Sequence, residues 1–276
     1  MHDENVAICF ALAEEAGPFK SAYGDKVHVF LTGIGRKNAE KAAQEFLAAH
    51  TPSLLITCGF AGGLAPELNI GDVVFETPPG QPRLQPDTLP SHQMGAGGQE
   101  RPDIAGHGGS DQRSQIPALK MRISSGDSPT GSGNDERRDS GGNDIYIQIR
   151  SKLVAAGAKE VKIFCSDRIA TTALDKKALR EETGADAAEM ESGAVHAVCA
   201  GRGIPCVTVR VISDTADEDL PLDFNKYMKE DKSLDMSKLM LAVAKAPWKM
   251  GALMELQKNT TLAAQRLANV LAKVIQ

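Results

Sequence analysis

The sequence predicts an α/β protein whose largely parallel sheet is covered by helices on both faces. Three observations carry that expectation. Short apolar runs rich in β-branched residues recur at 6–10, 27–31, 54–58, 73–75, 161–164 and 206–211, and each reads as a strand. Amphipathic stretches with helical spacing lie between them, the alternation that produces parallel strands with crossover helices. At 276 residues, 42% hydrophobic and 24% charged, the chain can also bury a sizeable core.

The helical stretches follow from residue spacing. Ala39, Ala42, Ala43, Phe46 and Leu47 place an apolar face on residues 37–50, and residues 175–183 form a second helix stopped by Gly184. Residues 189–202 read as a third, opening on acidic residues, and 145–156 as a fourth. From Asp235 onward the pattern is helical, broken at Pro247. There Leu253, Leu256, Leu262, Leu267, Val270, Leu271 and Val274 make a stripe suited to core packing or to an oligomer face. Right-handed crossovers gather the loops at the carboxyl ends of the strands, where α/β proteins bind ligands.

One segment breaks the rhythm. Residues 78–144 hold eight of the 14 prolines and 12 of the 26 glycines, with no Phe, Trp or Tyr. Such a stretch buries too little apolar surface to offset its ordering entropy. The expectation is one domain over 1–276, interrupted at 78–144 by a disordered insertion or by a stretch translated out of frame.

Composition excludes several classes. A net charge of −5 argues against a generally basic nucleic-acid binder. No run approaches the ~18 apolar residues of a membrane span, and the acidic start Met1-His2-Asp3-Glu4 is unlike a signal peptide, so a cytoplasmic protein is expected. The five cysteines, Cys9, Cys58, Cys165, Cys199 and Cys206, form no CxxC pair and read as buried reduced thiols, with no metal site.

Three stretches carry residue types that a bare scaffold does not require. Thr57-Cys58-Gly59-Phe60-Ala61-Gly62-Gly63-Leu64 follows a strand, and its glycines admit a ligand close to backbone N–H groups. A second turn, Gly33-Ile34-Gly35-Arg36, precedes a helix whose N-terminus suits an anion or a ribose oxygen. Glu189-Met190-Glu191-Ser192 sets two acids at a helix start, where Glu189 reads mainly as a cap. Residues 209–217 end a buried strand in Ser213-Asp214, so Asp214 falls on the ligand edge of the sheet. Asp217 fits a turn or cap better.

Residues 58–66 followed by Leu68-Asn69-Ile70-Gly71-Asp72-Val73-Val74 resemble the signature of the purine nucleoside phosphorylase and nucleosidase superfamily. Glu189-Met190-Glu191 and residues 210–217 are similar to that superfamily's ribose-binding and base-binding segments, in the same order. The resemblance spans roughly 5–77 and 145–276. Methylthioadenosine/S-adenosylhomocysteine nucleosidases are the nearest pattern, while the C-terminal region looks more like hopanoid-associated nucleoside phosphorylases. It implies a purine nucleoside phosphorylase-like fold, a central mixed sheet bent partly toward a barrel and flanked by helices.

The resemblance also implies roles. Asp214 matches the acid that protonates N7 of the departing purine, and Glu191 matches the glutamate that binds the ribose hydroxyls. Met190 matches the residue packed against the sugar. Glu15 matches the glutamate that orients the attacking water, with Glu14 as the alternative register. Ile169 and Ala170 match positions that contact the base through backbone; Phe60, Gly62, Gly63 and Ser213 fall in the binding segments. The chemistry requires these types: bond cleavage builds positive charge on the sugar and negative charge on the base, and water must be activated.

Thr57 and Phe60 stand where the phosphorolytic branch places a phosphate-binding arginine and a serine. The expectation is therefore hydrolysis of an adenosine-type nucleoside bearing a modified 5′ group. Phosphorolysis, with inorganic phosphate as co-substrate and Arg36 as a substitute cation, is the alternative. A non-catalytic nucleoside-binding member is the further one. No cofactor is implied; the partners are a small-molecule nucleoside and, by resemblance, a second copy of the chain in a homo-oligomer.

Overall fold

The structure, a computed structural model, describes residues 5–24, 26–77, 140–229 and 235–276. Residues 78–139, most of the segment read as an insertion, lie outside the described residues, as does the start of the chain at 1–4. Among the described residues, eight strands form one mixed sheet: β1 (Val6–Phe10), β2 (His28–Leu31), β3 (Leu54–Gly63), β4 (Val73–Glu76), β5 (Lys159–Glu160), β6 (Ile163–Cys165), β7 (Ala187–Glu189) and β8 (Cys206–Asp214). The α-helices described with them are α1 (Ala13–Tyr23), α2 (Arg36–Ala49), α3 (Ser140–Ala155), α4 (Ala173–Thr183), α5 (Ser192–Ala200), α6 (Met236–Lys245) and α7 (Met250–Ile275).

The strand order is β2-β1-β3-β8-β4-β5, with β7 joined to β3 and β6 to β7. Most neighbours run parallel, as the alternation predicts; β4 against β8 and β7 against β3 are antiparallel. The sheet is mixed but does not close, so the expected bend toward a barrel stops short of one. β8 is buried along its whole length, and β3 along nearly all of its own. Strands buried on both faces need continuous apolar sequence, and that is why these two are legible as apolar runs.

β3 changes neighbour partway. β1 pairs with it along Leu54 to Cys58, whereas β7 pairs with it only at Gly62 and Gly63. The end of β1 and the end of β7 thus reach β3 at different heights, and the fork between them becomes the site. Helix α7 packs on α1, α3 and β8, burying Leu267, Leu271 and Val274 in the largest core cluster. Leu262, from the same predicted stripe, is about half exposed.

Three boundaries differ from expectation. The glycine run after Cys58 is not a loop: β3 continues through Gly63, paired with β8 past a bulge at Ala61/Gly62. Residues 187–189 form β7, so the helix expected from Glu189 begins at Ser192. Helix α3 begins at Ser140, inside the segment read as disordered. Four cysteines are buried and Cys165 is half-buried; all are free. No described helix is long and apolar enough to cross a membrane.

Candidate active site

A cavity of about 360 Å³ opens at the fork between β1 and β7. Among its lining residues are Glu15, Phe60, Gly62, Ile169, Ala170, Met190, Glu191, Ser213 and Asp214, which the chain supplies from five separate segments. Two predicted residues are not in its wall. Gly63 lies behind it, against the backbone carbonyl of Asp214 and the side chain of Ile212. Arg36 is about half exposed, pairs with Asp167 at 3.3 Å and is not among the lining residues.

Glu15 sits in the first turn of α1. Its carboxylate accepts the N–H of Leu12 at 2.9 Å and of Phe60 at 3.0 Å, fixing it between the helix start and β3. Burial pushes its pKa up despite these donors. Glu14 also reaches the cavity but is exposed, so the buried, doubly anchored register is Glu15. The close approach explains Gly59: a Cβ there would stand 3.0–3.2 Å from the Glu15 carboxyl. Gly62 does the same for Asp214, whose Oδ1 lies 3.3 Å from where a Cβ would be.

Glu191 lies at the N-terminal edge of α5. Its Oε1 accepts the N–H of Gly35 at 2.7 Å. The Gly33–Arg36 turn does face an anion, and that anion is the protein's own Glu191; Gly35 reaches it with φ of 86°. Burial and the neighbouring Glu189 charge lift the Glu191 pKa to about 7.

Glu189 combines two jobs. It caps α5, accepting the N–H groups of Glu191 and Ser192 at 3.0 and 2.8 Å and the Ser192 hydroxyl at 2.6 Å. It also pairs at 2.5 Å with Arg210, which is buried in β8. Burial opposes its charge, but Arg210 and these donors prevail and hold its pKa low. Arg210 donates further to the Thr57 carbonyl and hydroxyl, so Thr57 supports Arg210 from beneath.

Asp214 ends β8 at the cavity wall. Ser213 donates its hydroxyl to Asp214 Oδ2 at 2.8 Å, and the wholly buried Lys176 of α4 lies 2.5 Å from Oδ1. Lys176 escaped the sequence reading, though a signal existed: it shares the buried face of α4 with Leu179, one turn on, where a lysine needs a partner. Asn225 was missed as well. It clasps the Ile169 backbone, accepting its N–H and donating to its carbonyl, both at 2.9 Å.

Among the described residues the cavity wall carries five carboxyl groups, Glu14, Glu15, Glu189, Glu191 and Asp214, and two cations. Both cations are engaged, Arg168 with Asp175 and Lys176 with Asp214. The described residues contain no cluster of three metal-ligating side chains. Such a wall suits a neutral or developing cationic substrate better than a phosphate dianion.

The sequence profile of the phosphorylase superfamily matches residues 19–77 and 148–276. The chain belongs to that superfamily and is an enzyme of it. Its curated relatives include a 5′-methylthioadenosine/S-adenosylhomocysteine nucleosidase of Marinomonas, 28% identical over 79% of this chain and 81% of that one. Another is the aminodeoxyfutalosine nucleosidase of Campylobacter jejuni, 25% identical over 71% and 70%. In fold the chain is similar to the methylthioadenosine/S-adenosylhomocysteine nucleosidase of Helicobacter pylori, with a TM-score of 0.57 at 19% identity and coverage of 100% and 99%. The futalosine hydrolase of the same organism gives 0.55 at 18%, covering 99% and 97%.

Proposed function

We propose that this enzyme hydrolyses the N-glycosidic bond of an adenosine-type nucleoside carrying a modified 5′ group, releasing adenine. The observation that carries the reading is the convergence of Glu15, Glu191 and Asp214, from α1, the β7–α5 junction and β8, on one cavity. Each acid stands in a different environment, as three different tasks require.

In this reading Asp214 gives a proton to the base nitrogen as the bond to C1′ breaks. Glu191 receives the ribose hydroxyls while Met190 packs against the sugar. Glu15, whose raised pKa makes it a ready proton acceptor, orients a water and takes its proton as the water attacks C1′. The carboxylates also favour the positive charge that develops on the sugar. The apolar walls Leu220, Phe224 and Leu256 give an uncharged 5′ substituent a place to be buried. The nucleosidase names of the relatives, and the engagement of both cations among the described lining residues with carboxylates of their own, support water over phosphate.

The test is Asp214→Asn with 5′-methylthioadenosine. Turnover should fall by about 10²–10⁴-fold, the usual worth of a general acid, while calorimetric affinity for a non-hydrolysable analogue changes little. Unchanged turnover removes Asp214 from the acid role and the reading with it.

A further inference from the structure

We propose that Lys176 is a positioning residue for the general acid, a fixed cation that receives the negative charge Asp214 acquires when it gives up its proton. The inference rests on the hydrolytic reading above and deepens it.

Lys176 is wholly buried, and its ammonium has three partners. Two are backbone carbonyls, of Thr215 at 2.6 Å and Glu218 at 2.9 Å; the third is Asp214 Oδ1 at 2.5 Å. The carbonyls accept two of its hydrogens, and Asp214 Oδ1 stands beside it as an ion-pair partner. The carbonyls matter most. They hold the cation in place whether Asp214 is charged or neutral.

The loop carrying those carbonyls is itself tied down. Thr215 accepts no freedom from its neighbours: its N–H donates to Glu218 at 3.0 Å and its hydroxyl to Asp217 at 2.7 Å. Leu220 donates its N–H to the Thr171 carbonyl at 2.8 Å, and Ala173 donates its own to Asp219 at 2.7 Å, binding the loop to the start of α4. Lys176 is thus fixed between α4 and the loop that follows β8, independently of the ligand.

The consequence is differential. A general acid that still holds its proton carries no charge for Lys176 to attract, so the attraction grows only as the proton leaves. As C1′–N cleaves, the bonding pair enters the base ring, the Asp214 O–H breaks, and a new N–H forms on the base. Asp214 is then a carboxylate in a wall whose described residues carry four other acidic side chains. A cation preset at contact distance stabilises that state more than the ground state, which is the condition for catalysis. Lys176 stays an ammonium throughout.

The experiment compares two substrates in Lys176→Gln and Lys176→Arg. One is 5′-methylthioadenosine, whose base leaves as it gains a proton. The other is an N7-methylated purine nucleoside, whose base is already cationic and needs none. With 5′-methylthioadenosine, Lys176→Gln should lose about 10²-fold in kcat with KM within a few-fold, and Lys176→Arg should recover much of it. With the N7-methylated substrate both variants should match the parent. Equal losses on both substrates would mark Lys176 as structural only, and no loss on either would overturn the proposal. Melting curves establish that the variants fold; if Lys176→Gln does not, the substrate comparison in Lys176→Arg still decides. Asp214→Asn separates the two layers: full activity there sinks the hydrolytic reading, whereas an inactive Asp214→Asn beside a fully active Lys176→Gln sinks only the role of Lys176.

Discussion

Glu191 shows how a single carboxyl is tuned by its surroundings. The Gly35 N–H and Arg210 favour its charge, while burial and Glu189 oppose it, and the balance lies near pH 7. That value has a stability consequence. Unfolded, Glu191 loses its proton near 4.5; folded, it keeps the proton to about 7. Between those values the folded state binds more protons, so this group lowers stability as pH rises and its effect levels off above 7. Glu191→Gln should therefore flatten the fall in Tm between pH 4.5 and 7.5, leaving the part that Glu15 contributes. An unchanged slope in thermal melts would show that Glu191 titrates normally. The type and spacing of these acids were legible in the sequence, and so was the position of Asp214 at a strand end. Their partners were not, because Gly35 lies 156 residues from Glu191 and 38 residues separate Lys176 from Asp214 in the chain.

Elements were legible in proportion to their length and regularity. β1, β8 and α2 follow their patterns within a residue or a few, since each has a continuous apolar run or a clear apolar face. Helix α1 gave no signal: Gly17 and Pro18 interrupt it and its apolar face is weak. β7 is three residues long and reads as the approach to α5. β3 looked finished at Cys58 because glycine is a poor strand former, yet the glycines are what lets Glu15 and Asp214 approach it. Arg210 and Glu189 bind these elements together, joining β8 to the start of α5 in a buried ion pair. Arg210→Met should cost about 3–5 kcal/mol by stranding the Glu189 charge, or roughly 10 °C in Tm. Adding Glu189→Gln should restore part of that loss in denaturant unfolding. A double variant no more stable than the single one would contradict the account.

At the scale of the whole molecule, the α/β class follows from the alternation of runs, but the open sheet with its fork does not. The fork depends on β3 exchanging β1 for β7 partway, a pairing between residues more than 120 apart. It sets the amino ends of α1 and α5 and the carboxyl end of β8 around one cavity, and the three acids follow from that placement. Water activation by this assembly is the core of the proposed reaction. The most direct measurement is adenine release from 5′-methylthioadenosine by the purified protein, in buffer free of phosphate and again with phosphate added. The rate should be the same in both, with free methylthioribose as the sugar product. Release that requires phosphate and yields the sugar 1-phosphate would contradict it.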